Sequence, residues 1–247
     1  SIGDEAFYGC SGLTSVTIPS GITRIALGAF QFCFNLTSVT IPFSVTSIEN
    51  KAFEGAKFTT VHIPNPDTVI ARIAFDESVT VIKPKQVPEE YATIQAAIDA
   101  AVDGDTISVD PGTYEENLII SGKSIKLVGV GPSKSVIDGK NQNPAIQILD
   151  NSNVELVGLQ FTNGLGRYVE FDHSGNYGGG VLVIDSTVNI KDCSIFKNKS
   201  VGETPCGGGL AGIRSVVTID RSKIYSNETG YEGAGVRVNM TDLTVLN

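Results

Sequence analysis

Leu13-Thr-Ser-Val-Thr-Ile-Pro19 returns as Leu36-Thr-Ser-Val-Thr-Ile-Pro42 and again as Phe58-Thr-Thr-Val-His-Ile-Pro64. In each copy the apolar residues alternate with polar ones. A period of two describes a strand with one face buried and one face open. Proline closes each strand, because it has no N–H to give to a ladder. A second block stands ahead of each strand: Ile2-Gly-Asp-Glu-Ala-Phe7, Ile25-Ala-Leu-Gly-Ala-Phe30, Ile48-Glu-Asn-Lys-Ala-Phe53 and Ile70-Ala-Arg-Ile-Ala-Phe75. These blocks are 23, 23 and 22 residues apart. Such a period marks a solenoid, whose units stack because none can bury its apolar face alone. The Ala-Phe stretch is too short for a stable helix. It predicts a turn or a single helical turn, with Phe7, Phe30, Phe53 and Phe75 stacked and buried. Cys10 and Cys33 hold equivalent places in successive units and are expected to stack as small buried hydrophobes. A disulfide there depends on geometry, so cysteine usage leaves the redox compartment open.

The fourth unit is short: seven residues separate Phe75 from Ile82, against eleven from Phe7 to Ile18. A shortened unit marks a boundary. Lys83-Pro-Lys-Gln-Val-Pro-Glu-Glu90 then reads as a stiff polar linker. The expected domains are residues 1–85 and 86–247, the second incomplete at its C-terminal end, because the chain stops inside a repeat.

Tyr91-Ala-Thr-Ile-Gln-Ala-Ala-Ile-Asp-Ala-Ala-Val102 carries the one clear helical period. Ile94, Ala97, Ile98, Ala101 and Val102 share a face, Thr93 is placed to cap, and Asp103-Gly104 ends the run. Short strands and tight turns follow. Then Val154-Glu-Leu-Val-Gly-Leu-Gln-Phe-Thr-Asn163 aligns with Val188 to Asn198, with Val217 to Asn227 and with a last start at Leu243. Gly178-Gly-Gly-Val, Gly207-Gly-Gly-Leu and Gly233-Ala-Gly-Val each precede a strand. The steps Val154–Val188–Val217–Leu243 are 34, 29 and 26 residues. All the excess lies between the Asn and the Gly block, in 164–177, 199–206 and 228–232. One corner of each coil therefore takes the insertions, and Asn163, Asn198 and Asn227 are expected to form a ladder there.

The first set of blocks closely resembles the BspA-type leucine-rich repeat, over residues 2–82. That resemblance implies a surface protein of a bacterium or protist, used in adhesion and partner binding. Residues 91–247 resemble the right-handed parallel β-helix of the pectate lyase and pectinesterase superfamily. Ile94-Gln-Ala-Ala-Ile-Asp-Ala-Ala, Pro111-Gly-Thr-Tyr-Glu-Glu-Asn117 and Leu127-Val-Gly-Val-Gly131 look like the pectinesterase N-terminus, where the helix caps the open end. The later coils look like the repeats of chlamydial-type polymorphic surface proteins. The fold expected is mainly β: two consecutive solenoids, a leucine-rich repeat and then a right-handed parallel β-helix with an N-terminal capping helix.

The superfamily implies carbohydrate chemistry, but its motifs are not carried over. Gly180 stands where pectinesterases place a catalytic Gln, and Thr204-Pro-Cys-Gly-Gly-Gly-Leu210 stands in the region of their Gln-Asp-Thr-Leu. No catalytic residue is assigned. Asp150, Asp185 and Arg214 stack on one face, an arrangement that would suit a cation such as Ca²⁺, a sugar acid, or a plain salt bridge. No metal site and no cofactor are assigned. The longest insertion holds Arg167, Tyr168, Glu170, Asp172, His173 and Tyr177, the candidate binding residues, since a long loop on a rigid scaffold is a usual place for function. Asp172 and His173 have no Ser or Cys nucleophile motif beside them.

The net charge is −9 and the acidity sits in the second half, which argues against nucleic acid and anionic lipid as partners. No apolar run is long enough to span a bilayer. Four Asn-x-Ser/Thr sequences begin at Asn35, Asn198, Asn227 and Asn239. The expectation is a non-enzymatic segment of an extracellular or cell-surface protein that binds protein or glycan ligands. Two alternatives stand beside it: a carbohydrate-active enzyme with its site partly outside this segment, and a structural spacer or filament unit.

Overall fold

The computed structural model describes residues 1–65, 67–170, 174–202, 204–230 and 233–246. The chain divides into two compact units, Ser1–Pro84 and Lys85–Asn247. Among the described residues there is one α-helix, Ile94–Ala100, and the strands pair in parallel except in one hairpin. No described helix is long and apolar enough to cross a membrane.

In the first unit Ser15–Thr17 pairs with Ser38–Thr40, Val16 opposite Val39. Thr60–His62 pairs with Thr80–Ile82. Arg24–Ile25, Ser47–Ile48 and Val69–Ile70 make a second small parallel sheet. The Ala-Phe blocks form turns: Cys33 N–H donates to Phe30 O at 3.3 Å and Ala29 N–H to Ala26 O at 3.2 Å. Each coil also hangs on the next, Phe30 N–H on Ala52 O at 2.8 Å and Phe53 N–H on Ala74 O at 2.9 Å. The four phenylalanine rings stack with centroids 4.9, 5.2 and 5.3 Å apart. Phe30 and Phe53 are buried, and Phe75 is half-buried. Phe7 is 41% exposed, contrary to the expectation of four buried rings. It has Phe30 on one side and no described ring on the other. The same reasoning corrects the cysteine pair. Cys33 is buried between the Cys10 and Ala56 coils and donates its thiol to Phe7 O at 3.1 Å. Cys10 has a coil on one side and is exposed; all four cysteines are free thiols.

The second unit winds three parallel sheets around one core. The seven-stranded sheet holds Lys85–Val87, Thr106–Val109, Ser124–Gly129, Asn153–Val157, Thr187–Lys191, Val216–Asp220 and Asp242–Leu246. A five-stranded sheet, the Phe161 sheet, holds Gly112–Tyr114, Ser135–Asp138, Gln160–Thr162, Ser194–Phe196 and Lys223–Tyr225. The other, the Val181 sheet, holds Leu118–Ser121, Ile146–Leu149, Val181–Ile184, Leu210–Ile213 and Val236–Asn239. From Leu118 on, each coil visits the Val181 sheet, the seven-stranded sheet and, in the coils that reach it, the Phe161 sheet in turn. Ile125, Val154, Val188 and Val217 lie in register and are buried. Phe161 opposite Ile195, and Ile146 opposite Val181, fill the same core from the other two sheets.

The expected linker gives way to structure at Lys85–Val87. That segment is the edge strand of the seven-stranded sheet, Lys85 opposite Ile107, with Val87 buried. Three residues are too few to display an alternation, which is why the sequence shows none.

The helix begins at Thr93, whose hydroxyl accepts from Ala96 N–H at 3.1 Å. The Glu116 carboxylate accepts from Ile94 and Gln95 N–H, both at 2.9 Å. At the other end the Lys123 ammonium donates to the carbonyls of Ile98, Asp99 and Ala101 at 2.7, 2.9 and 2.8 Å. An anion thus meets the N-terminal donors and a cation the C-terminal acceptors. Ile94, Ala97, Ile98 and Ala101 are buried in the core cluster that also holds Val87, Ile107 and Leu118. Val102 is 67% exposed, not on the buried face. The backbone turns extended at Ala101, with ψ 145°, so Val102 leaves the helical period.

Candidate functional site

The insertion corner joins each strand of the Phe161 sheet to the next of the Val181 sheet. Asn198 anchors it. Its buried amide donates to Phe161 O and Phe196 O, both at 3.1 Å, and accepts from Gly164 N–H at 2.9 Å. The Asn227 carbonyl accepts from Asn198 N–H and from its side chain, both at 3.0 Å. Asn227 in turn donates to Ile195 O at 3.0 Å. Asn163 is not part of this ladder. Thr162 pairs with Phe196, so Asn163 falls opposite Lys197 and Gly164 opposite Asn198. Asn163 and Lys197 are left-handed, φ 50° and 55°. The Asn163 amide turns instead to Asp138 at 2.8 Å.

The 164–177 insertion contains a hairpin rather than an irregular loop. Arg167–Val169 pairs antiparallel with Gly175–Tyr177, Arg167 opposite Tyr177. Ser200 Oγ donates to Asn176 O at 2.6 Å and Cys206 N–H to the same carbonyl at 2.8 Å. Lys199–Ser200 pairs in parallel with Glu228–Thr229, so the insertions stack upon one another. Tyr177 is 3% exposed. It packs with Leu182, Cys206, Ala211 and Ile213. Val181 and Val183 face the main core, so Leu182 points to the opposite face of the strand. The hairpin therefore covers the outer side of the Val181 sheet.

That geometry redistributes the candidate binding residues. Tyr177 is a packing residue. Arg167 holds the hairpin down, donating to Gln147 Oε1 at 2.8 Å. Tyr168 and Glu170 stand exposed on the hairpin. Asp172 and His173 lie outside the described residues.

At the next corner, leading into the seven-stranded sheet, Asp150, Asp185 and Arg214 share a left-handed column, φ 58°, 49° and 47°. Arg214 grips Asp185 with two bonds, 2.6 and 2.5 Å. That side-chain hydrogen bond holds the Asp185 carboxyl below the usual carboxylate range. Asp150 accepts from Ser121 Oγ at 2.5 Å. The column thus has a salt bridge where a cation pair of carboxylates was conceivable. Among the described residues no group of three or more His, Cys, Asp or Glu is placed to hold a metal ion.

Sequence reading missed the ladder beside this column. Ser152 N–H donates to Ser186 Oγ at 3.2 Å, Ser186 N–H to Ser215 Oγ at 3.3 Å, and Ser215 N–H to Thr241 Oγ1 at 3.3 Å. The signal was present: a hydroxyl residue stands two places before each of Val154, Val188, Val217 and Leu243.

In the first unit the open strand faces form a second candidate. Thr17 lies opposite Thr40 and Ser15 opposite Ser38, all exposed, and His62 is exposed on the equivalent strand. No curated protein and no solved structure matches the chain. The family model for the BspA type leucine rich repeat region matches in six copies over residues 1–98, two more than the four Ala-Phe blocks, and runs past Pro84 into the edge strand and the helix. Residues 1–98, less than half of the chain, thus carry a BspA type leucine rich repeat region.

Proposed function

We propose that this chain is a non-enzymatic segment of a large cell-surface or secreted protein that binds protein or glycan partners. The observation that carries the reading is the pairing of Thr17 with Thr40 and Ser15 with Ser38, in register and exposed, within the region similar to BspA-type repeats. Repeats that keep their register present a regular open face to a partner. We read the second unit as a right-handed parallel β-helix with Ile94–Ala100 as its cap. The three-sheet order and the packing of Ile94 and Ile98 in the core with Ile107 and Leu118 support that reading.

The carbohydrate-active alternative fares less well at Gly180. A Cβ there would come within 2.5 Å of Gly209 O, so a glutamine side chain, which the esterase chemistry needs, would require the neighbouring coil to shift. The test is pull-down and glycan-array binding with three proteins: the parent chain, Thr17→Glu/Thr40→Glu/His62→Glu, and Tyr168→Ala/Glu170→Ala. Deleting the hairpin would expose Leu182 and Ala211, so point variants are the cleaner probe. Loss of binding in the first variant alone supports the open strand face. Loss in the second alone moves the site to the hairpin. A parent chain that binds nothing on either platform would leave the spacer alternative.

A further inference from the structure

Four asparagines begin an Asn-x-Ser/Thr sequence, and the fold separates one from the rest. Asn198 is buried with its amide nitrogen committed to Phe161 O, Phe196 O and Asn227. Asn227 is half-buried, and both ends of its amide are used in the same ladder. Asn239 is half-buried in a strand, and its partner hydroxyl, Thr241 Oγ1, is engaged by Ser215 N–H and Asn239 O. Asn35 is exposed on a turn, its amide donating once, to Ser11 O at 2.7 Å; its Thr37 hydroxyl also donates, to Thr14 O at 3.2 Å, so exposure rather than a free hydroxyl sets Asn35 apart from Asn239.

A second feature adjoins Asn35. Phe34 is 52% exposed. Its ring lies 5.6 Å from that of Phe32, which meets Tyr8 at 5.5 Å. Phe32 holds φ 59° at the place where Gly9 and Gly55 stand in the neighbouring coils. A bulky residue in that region is strained, and such strain is a pointer to function. Three adjoining exposed or half-exposed rings form an apolar patch that calls for a cover. The apolar C–H face of a pyranose suits a ring of this kind.

We infer that Asn35 is the chain's N-glycan acceptor and that the first sugar covers the Phe32–Phe34 patch. The inference rests on the surface or secreted reading above. The Asn35 amide nitrogen would attack C1 of a sugar activated as a phosphate or pyrophosphate ester. The N–C1 bond forms, the C1–O bond breaks, the phosphate leaves, and one amide proton passes to a base. The remaining N–H keeps its bond to Ser11 O.

The test treats the folded 247-residue chain with a soluble N-glycosyltransferase and a nucleotide-activated sugar. A denatured sample serves as control, and peptide mapping locates the sugar. Sugar at Asn35 and none at Asn198 or Asn227 in the folded chain is the expected result. The modified chain should bind less of an apolar dye, a difference that Phe34→Ala removes. An Asn35 that reacts in the denatured chain and not in the folded one overturns the assignment, as does sugar at Asn198 in a folded chain. An unchanged dye signal overturns the covering role. Fractionation of native cells tests the surface reading separately: an internal chain with a reactive Asn35 sinks that reading and spares the acceptor geometry.

Discussion

Phe30 and Phe53 stack face to face, 5.2 Å between centroids and 3° between planes, each wholly enclosed by the first unit. Phe7 continues the stack and is open on its outer side. Phe30→Ala should destabilise by about 3–5 kcal/mol, as for other emptied aromatic sites. Phe7→Ala should cost clearly less. Urea denaturation of both variants checks the order, and equal losses would contradict it.

Asn198→Ala leaves Phe161 O and Gly164 N–H without their buried partner. At roughly 1–3 kcal/mol for each stranded group, a loss of about 2–6 kcal/mol is expected. Asn163→Ala removes the bond to Asp138 and puts alanine at a left-handed φ of 50°, and should cost about 1–2 kcal/mol. Thermal melts of the two variants, with hydrogen exchange at Gly164, measure the difference.

These two asparagines show where sequence reading stops. The Asn at each strand end was legible as a ladder. Which Asn joined it was not, because Val154 to Asn163 spans nine residues and Val188 to Asn198 spans ten. Only the backbone pairing decides that Gly164 faces Asn198. The first unit was legible for a simpler reason: its alternation and its period are both carried by side chains. The Lys85–Val87 strand and the burial of Tyr177 depend on partners far along the chain, Ile107 for the first and Ala211 and Ile213 for the second, which no local pattern announces.

Acid should act through two arginine pairs. Arg214 and Arg221 hold the carboxyls of Asp185 and Asp192 below the usual carboxylate range, chiefly by hydrogen bonding. A carboxylate with a depressed folded pKa contributes stability above its unfolded value, roughly 3.9, and that contribution is lost as pH falls through the folded value. The Tm should therefore drop below about pH 4. Arg214→Gln with Arg221→Gln should flatten part of that drop, with a small neutral-pH effect because both pairs are exposed and screened. A Tm profile from acid to neutral pH, unchanged in the double variant, would count against the pairs.

Thiol chemistry should sort the four cysteines. Burial pushes the Cys193 thiol up to about 11 and raises that of Cys33. Cys206 is buried and Cys10 is exposed. A thiol reagent at mildly alkaline pH should label Cys10 quickly in the native chain and all four after denaturation. Fast native labelling of Cys193 would contradict its burial.

Gly180→Ala should destabilise by about 1–3 kcal/mol, because a methyl group would press on Gly209 O and Ile195. The parent chain, assayed with pectin and polygalacturonate, should release neither methanol nor unsaturated uronides above a heat-killed control. Turnover would revive the enzymatic alternative.

The three corners of the second unit differ in what they tolerate. Gly158-Leu159, Asp192-Cys193 and Arg221-Ser222 give the corner before the Phe161 sheet the same length in three successive coils, whereas the coil of Ser124–Gly129 takes five residues, 130–134, to make it. A residue added to one of these two-residue corners would turn the following strand to its other face unless the corner looped out, as 130–134 does. The corner after Asn198 and Asn227 instead absorbs extra residues by pairing them, as Lys199–Ser200 does with Glu228–Thr229. Most of the extra length in the later coils therefore gathers at one edge of the second unit. For a protein designer, that edge, where added residues find partners in the next coil, is the first place to graft a foreign peptide.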